Sequence, residues 1–398
     1  MARSPHVVVH GQEAVARHLP TNHPLKPRRA DDAVQLLISA GLVGAGAATV
    51  VAPPRASDAD LFRVHDKAYV RIVDRLSRDP MDPDYLDASA SDAVAHGFSR
   101  DGDNPAYFEM AEAARYACGG VIAAARLVLE RANAVAFVPT AGVNHHAMRA
   151  RASGFGVLND AAVAIAAIRS TGARVAYVDL DVHHGDGVEA AFATDPGVLT
   201  ISLHESTRYL FPGPPGGLAD QIGAGEGVGY AVNIPLFPYS DDDAWLAAFD
   251  AIVPPLLTAF RADLTIVQCG TDGYHADPLA HLLLSERAYV TVAARLRDIT
   301  GKRLVMIGGG GYDPDATSRI WAAMFATAIG MAVPREWIAS ASPTLDERVS
   351  SRVTAENDAT IATVQGLVFP RHGLNVPSAT DRRHPVFDAR SESARWPT

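Results

Sequence analysis

The densest group of reactive side chains lies in Asp179-Leu-Asp-Val-His-His-Gly-Asp186. The apolar run Val175–Val178 precedes it, so the segment reads as the end of a buried strand. Alternate side chains of an extended backbone share a face, which predicts Asp179, Asp181 and His183 together. Carboxylates crowded at a buried strand end repel one another and lose solvation unless a cation sits among them. A solvated Asp–Gly turn accounts for Gly185 and Gly187, but not for acids alternating after an apolar strand. A catalytic zinc site uses about three protein ligands and keeps one position open. Asp181 and His183 supply two. The third candidate is Asp272, in Gln268-Cys-Gly-Thr-Asp272-Gly-Tyr-His-Ala-Asp277-Pro. Two carboxylates and a neutral imidazole balance a divalent charge. The same donors suit Fe(II) or Mn(II), so the metal stays open.

Two further groups fit hydrolytic chemistry. His145-His146 can act as general base and acid if each has a carboxylate behind it, and Asp179 and Asp186 are the natural partners. The plain alternative is two ordinary loop histidines. The run Gly308-Gly-Gly-Gly311 precedes Tyr312. It lacks the Lys-Ser/Thr of a phosphate-binding loop and the spaced glycine pattern of a dinucleotide site. It reads better as backbone thinned so that Tyr312 can stand over a metal and donate to a developing oxyanion. A glycine turn followed by a surface tyrosine is the plain alternative.

These residues must be brought to one place. Strand-like runs occur at 135–139, 174–181, 198–204, 230–236, 264–270 and 303–308. Helical patterns occupy 160–171, 243–262, 285–300 and 316–330, so parallel strands joined by helical crossovers are expected. The fold class is α/β, a single open parallel sheet flanked by helices. Ligands then sit beyond the carboxyl ends of the strands, where four runs deliver the residues named above. The first part of the chain is less regular, with helical stretches at 29–40 and 58–77. The catalytic domain is expected to span 1–340. The Ser-, Thr- and Arg-rich segment 341–398 reads as a loosely attached extension, partly disordered past about Val376.

The bulk balance is that of a globular chain: 48% hydrophobic residues and 20% charged leave enough apolar material for a sizeable core. The net charge of −10 and the absence of a basic cluster argue against nucleic-acid binding. No apolar run approaches the ~20 residues of a membrane span. Two cysteines, Cys118 and Cys269, sit in apolar sequence and fit a reducing cytoplasm.

Taken together, these motifs resemble the zinc-dependent histone deacetylase superfamily, with its arginase-like fold, and most closely the bacterial acetoin-utilisation type. The likeness runs from about His23 to Gly330. Further anchors are Asn22-His-Pro-Leu-Lys-Pro-Arg-Arg29, Gly102-Asp-Asn-Pro105, Ala147-Met-Arg-Ala-Arg-Ala-Ser-Gly-Phe155-Gly, Ser202-Leu-His204, Phe211-Pro-Gly213 and Asp277-Pro-Leu-Ala-His-Leu282. The resemblance implies zinc on Asp181, His183 and Asp272. It implies His145 and His146 as acid–base histidines backed by Asp179 and Asp186, with Tyr312 polarising the substrate carbonyl. Gly154, Phe155 and Gly310 would line the acyl-lysine tunnel, and Asp103 would meet the substrate backbone at its rim. It also implies a structural potassium on Asp179, Asp181, His183, Ser202 and Leu203, and a second near Phe192 and Tyr230. His184 is left with a structural role.

There are departures. Gly156 stands where the tunnel motif usually has cysteine, an expected widening of the pocket floor. Residues 6–17 match poorly. The expected activity is removal of acetyl or other acyl groups from protein lysines. Deacylation of a small amide such as an acetylpolyamine is the rival, weakened by the lack of a glutamate in the loop 272–278. A non-catalytic acyl-lysine binder is the alternative of another class. Lysine occurs only at Lys26, Lys67 and Lys302. Coding-DNA base composition explains this, a benefit to a lysine deacetylase being the other reading. Oligomeric state is not legible.

Overall fold

Apolar, β-branched runs form the strands, and the sheet they build is wholly parallel. The strands are β1 (Val7–Val9), β2 (Thr49–Val51), β3 (Val135–Val138), β4 (Val175–Asp179), β5 (Val198–Glu205), β6 (Ala231–Leu236), β7 (Leu264–Gln268) and β8 (Leu304–Ile307). They pair in the order β2-β1-β3-β8-β7-β4-β5-β6. The computed structural model describes residues 4–15, 18–44, 47–301 and 303–378. The disorder expected past about Val376 falls almost wholly outside them.

The helices are α1 (Arg28–Ser39), α2 (Asp58–Leu61), α3 (Lys67–Leu76), α4 (Ser91–Ala95), α5 (Met110–Glu130), α6 (Asp160–Arg169), α7 (Asp186–Phe192), α8 (Asp242–Phe260), α9 (Glu286–Thr300), α10 (Pro314–Ala328) and α11 (Glu347–Val368). One face of the sheet packs on α1 and α8–α11, the other on α2, α3, α5 and α6. Strand β4 shows the pleat that this requires. Ala176 and Val178 join the first core, while Val175 and Tyr177 join the second. Helix α8 is long and apolar enough by composition to cross a membrane, but Trp245, Ala248, Phe249, Ile252 and Val253 are buried in the first core.

The topology makes the cleft. The chain leaves β3, passes to β4 three places away, runs outward through β5 and β6, and returns to fill the gap with β7 and β8. The loops after β3, β4, β7 and β8 therefore converge at the carboxyl edge of adjacent strands, as binding at a topological switch point requires.

Several elements differ from the sequence reading. Helix α5 carries Gly119 and Gly120 in its interior, which argues against a helix by propensity. A Cβ on Gly119 would lie 1.9 Å from the Pro54 carbonyl, so close backbone packing requires glycine there. The stretch 58–77 is broken between α2 and α3, where Asp66 N–H donates to the Arg149 carbonyl at 3.0 Å. The extension is docked over 347–369. Val353, Asn357, Ile361, Val364 and Val368 form a buried stripe on α11. Asn357 accepts from Phe237 N–H at 2.9 Å and donates to Ser240 Oγ at 2.8 Å. A polar composition concealed that stripe.

Candidate active site

Asp181, His183 and Asp272 offer ligand atoms that all lie within 4.8 Å of one another. Asp181 and Asp272 come from the ends of adjacent strands, β4 and β7, in register from Val175↔Leu264 to Asp179↔Gln268. His183 Nδ1 is 3.2 Å from Asp181 Oδ1 and 3.1 Å from Asp272 Oδ2. All three are buried. Burial and the charge of Asp181 push the Asp272 carboxyl up to about 7. Burial alone would depress His183, but the two carboxylates outweigh it and push it up to about 10. The site thus calls for positive charge, and one divalent ion meets that demand with hard oxygen and imidazole donors. Room for it depends on glycine. A Cβ at Gly310 would lie 1.9 Å from Asp272 Oδ2 and 2.8 Å from Asp181 Oδ2.

Asp179 does not join this cluster, contrary to the extended-strand expectation. Strand β4 ends at Asp179, and the chain bends through Asp181–His183. Asp179 instead lies behind His145, with Nδ1 to Oδ2 at 2.9 Å. Asp186, at the start of α7, lies behind His146 at 2.7 Å. The two imidazoles stand 4.0 Å apart between ring centroids. Their environments separate them. Burial would depress His145, yet Asp181 and Asp179 push it up to about 9. Burial and the neighbouring His145 charge depress His146 to about 4, against Asp186. Burial thus favours the neutral form of His146, while the carboxylates around His145 favour its charged form.

Tyr312 follows the glycine run after β8 and is half-buried. Burial beside Asp272 and Asp181 holds its phenol well above the ordinary range, so it stays a donor. Its ring meets Phe155 edge-on at 5.7 Å. Phe155 has φ +67°, and Gly154 has φ +50°. A Cβ at Gly154 would come within 2.3 Å of His146 Cδ2, so glycine lets this wall close on the histidine. Gly156 does not widen the floor. The space for its Cβ is taken by Asn144 Cα and Ser153 O, both at 3.0 Å.

The remaining sequence candidates lie around this centre. Asp103 is exposed at the rim, its carbonyl 3.3 Å from His23 Nε2. Ser202 pairs with Asp179 across β4 and β5, and its hydroxyl faces Gly185 N–H at 3.5 Å. Leu203 is fully buried. Phe192 ends α7, and Tyr230 packs on Phe260. His184 Nε2 lies 3.0 Å from Glu189, away from the metal cluster.

Sequence reasoning left several contributors without a role. Tyr177 donates to Asp179 Oδ2 at 2.7 Å, the oxygen that also faces His145. The strand alternation of Tyr177 with Asp179 could have shown it. Gln268 Nε2 and Gly310 N–H both donate to Asp181 Oδ2 at 2.7 Å. The Phe211 ring meets His146 edge-on at 4.9 Å between centroids, and only folding brings it there. Asn159 donates to the carbonyls of His145 and Ala147 at 3.3 and 3.0 Å.

Known proteins share this domain and fold. The family model for the histone deacetylase domain matches residues 23–328. The acetoin utilization protein AcuC of Bacillus subtilis (strain 168) is 36% identical over 299 residues, covering 73% of this chain and 74% of that protein. Histone deacetylase clr6 of Schizosaccharomyces pombe is 33% identical over 307 residues, covering 76% and 72%. Human histone deacetylase 1 is 32% identical over 314 residues, covering 79% of this chain but 62% of its own length. Among solved structures, the HDA15 HD domain superposes with a TM-score of 0.76 at 26% identity, covering 93% of this chain and 96% of that one. The chain belongs to the histone deacetylase family, is of the AcuC type, and is by that membership a deacetylase of the hydrolase class.

Proposed function

We propose that the chain is a zinc-dependent amidohydrolase that removes acetyl groups from lysine side chains of proteins. The observation that carries this is the buried Asp181–His183–Asp272 cluster standing beside two carboxylate-backed histidines and Tyr312. A divalent ion on Asp181, His183 and Asp272 supplies Lewis acidity toward an amide carbonyl and acidifies a water. His146, oriented by Asp186, takes the proton from the attacking water and returns it to the leaving amine. His145, held by Asp179, steadies the negative charge that develops on oxygen. Tyr312 donates to the same oxygen. Phe155 and Phe211 flank the lysine stem, and Asp103 at the rim accepts hydrogen bonds from the substrate backbone. Asp179, Asp181, His183, Ser202 and Leu203 would hold a structural potassium, with a second near Phe192 and Tyr230.

The loop 272–278 offers no glutamate to select a free ammonium, which favours a peptide over a polyamine. The test compares rates of the zinc-loaded protein on acetyl-lysine peptides and acetylpolyamines, with a hydroxamate control. Faster turnover of acetylpolyamines would replace the protein substrate by a small amine. Stoichiometric zinc without turnover of either would leave a binder. Tyr312→Phe should cut turnover by ~10²-fold or more with zinc retained, and Asp181→Ala should lose zinc.

A further inference from the structure

We propose that Asp277 is a positioning residue for Tyr312, acting by gripping the peptide unit that precedes the phenol. The inference rests on the role given to Tyr312 above. Four successive glycines join β8 to Tyr312, and Gly309 and Gly311 have φ +150° and +129°. Such a run has wide conformational freedom of its own, so contacts from other segments must set its path. Tyr312 can serve only if something else sets its direction.

The structure supplies restraints at successive points. Gly308 N–H donates to the Val138 carbonyl at 3.1 Å. Gly310 N–H donates to Asp181 Oδ2 at 2.7 Å. The last peptide unit, between Gly311 and Tyr312, is held at both ends. Its carbonyl accepts from Arg29 Nη1 at 2.8 Å. Its N–H donates to Asp277 Oδ2 at 2.6 Å. Arg29 comes from α1 and Asp277 from the loop after β7, and both are buried. One peptide plane is thus fixed between a buried cation and a buried carboxylate from distant segments.

A local role for Asp277 would need only half of its carboxyl. Oδ1 accepts from Leu279 N–H at 3.0 Å, an ordinary turn two residues on. Oδ2 reaches 35 residues along the chain to Tyr312. Beyond Tyr312 the chain is fixed again, because Asp313 caps α10 through Asp315 and Ala316 N–H at 3.1 and 3.0 Å. Removing the Asp277 bond would leave the plane held only through its carbonyl by Arg29, and the phenol would swing about that point. Asparagine places an N–H₂ against one of the two N–H donors, so Asp277→Asn breaks one contact with almost no change in volume.

The experiment combines a double-mutant cycle with hydrogen exchange. Asp277→Asn should lower kcat by ~10- to 100-fold with KM within ~2-fold and zinc stoichiometry unchanged. In a Tyr312→Phe background the same change should cost less than ~3-fold, because the group being aimed is gone. Exchange of backbone amides over 308–313 should quicken in Asp277→Asn while 179–186 stays protected. Asp277→Glu keeps the carboxylate and should recover part of kcat, and it carries the test if the asparagine variant does not fold. Wild-type kcat in Asp277→Asn, an undiminished loss in the Tyr312→Phe background, or unchanged exchange over 308–313 would each overturn the proposal. A wild-type protein inactive on acetyl-lysine would instead sink the functional reading, and the exchange measurement would still decide the grip.

Discussion

His65 gives the fold an acid-sensitive joint that can be measured. It is 1% exposed, in the break between α2 and α3. Nδ1 lies 3.1 Å from the Met148 carbonyl and 3.3 Å from that of Arg149, so the ring proton sits there. Nε2 accepts from Asn159 N–H at 2.9 Å. Both nitrogens are therefore satisfied by the neutral ring, and a second proton would face a donor. Burial pushes the pKa down to about 4, against the 6.5 of a free imidazole. The unfolded chain binds the proton first as pH falls. Stability from this site is complete above about pH 6.5 and is lost progressively toward about pH 4. At about pH 5 the integrated loss is ~2 kcal/mol. The assay is urea unfolding of wild type and His65→Asn at about pH 7.5 and about pH 5. Other titrating groups cancel in the difference between the two proteins. The stability gap should narrow by ~2 kcal/mol on acidification, because only the wild type pays for protonation. A gap constant to within ~0.5 kcal/mol would refute the reasoning. The effect should reach the site, since Asn159 also donates to the carbonyls of His145 and Ala147.

Two further outcomes are expected. Gly310→Ala sets a Cβ 1.9 Å from Asp272 Oδ2, so metal affinity should fall by at least ~10-fold in a chelator competition while the unfolding midpoint shifts little. Arg115, 2% exposed on α5, binds Asp58 at 2.6 Å and Asp74 at 3.0 Å, yet these partners have side chains 62% and 37% exposed. Water can therefore receive both carboxylates, and Arg115→Met should cost only ~1–2 kcal/mol in denaturant unfolding.

Much of the site was legible because its chemistry is local. Asp181 and His183 lie two residues apart, and His145 adjoins His146. Each such group follows an apolar strand, so period and polarity together mark a strand end facing a cleft. Central strands and the helices α6, α8, α9 and α10 were legible for the same reason. The short strands β1 and β2 were not, being three residues each and too brief to show a period.

The sequence by itself determined the set of reactive groups and the class of fold, because donor chemistry and hydrophobic period are carried by neighbours along the chain. Tertiary structure decided the geometry that separates those groups. Asp179 stands behind His145, the partner the sequence suggested, because β4 ends at that residue and the backbone bends. Phe211 faces His146, and Asp277 and Arg29 grip the peptide before Tyr312, across separations that no local pattern encodes. Such contacts depend on strand order and on the close approach that glycines at 119, 154 and 310 permit, which exist only once the sheet has closed around them.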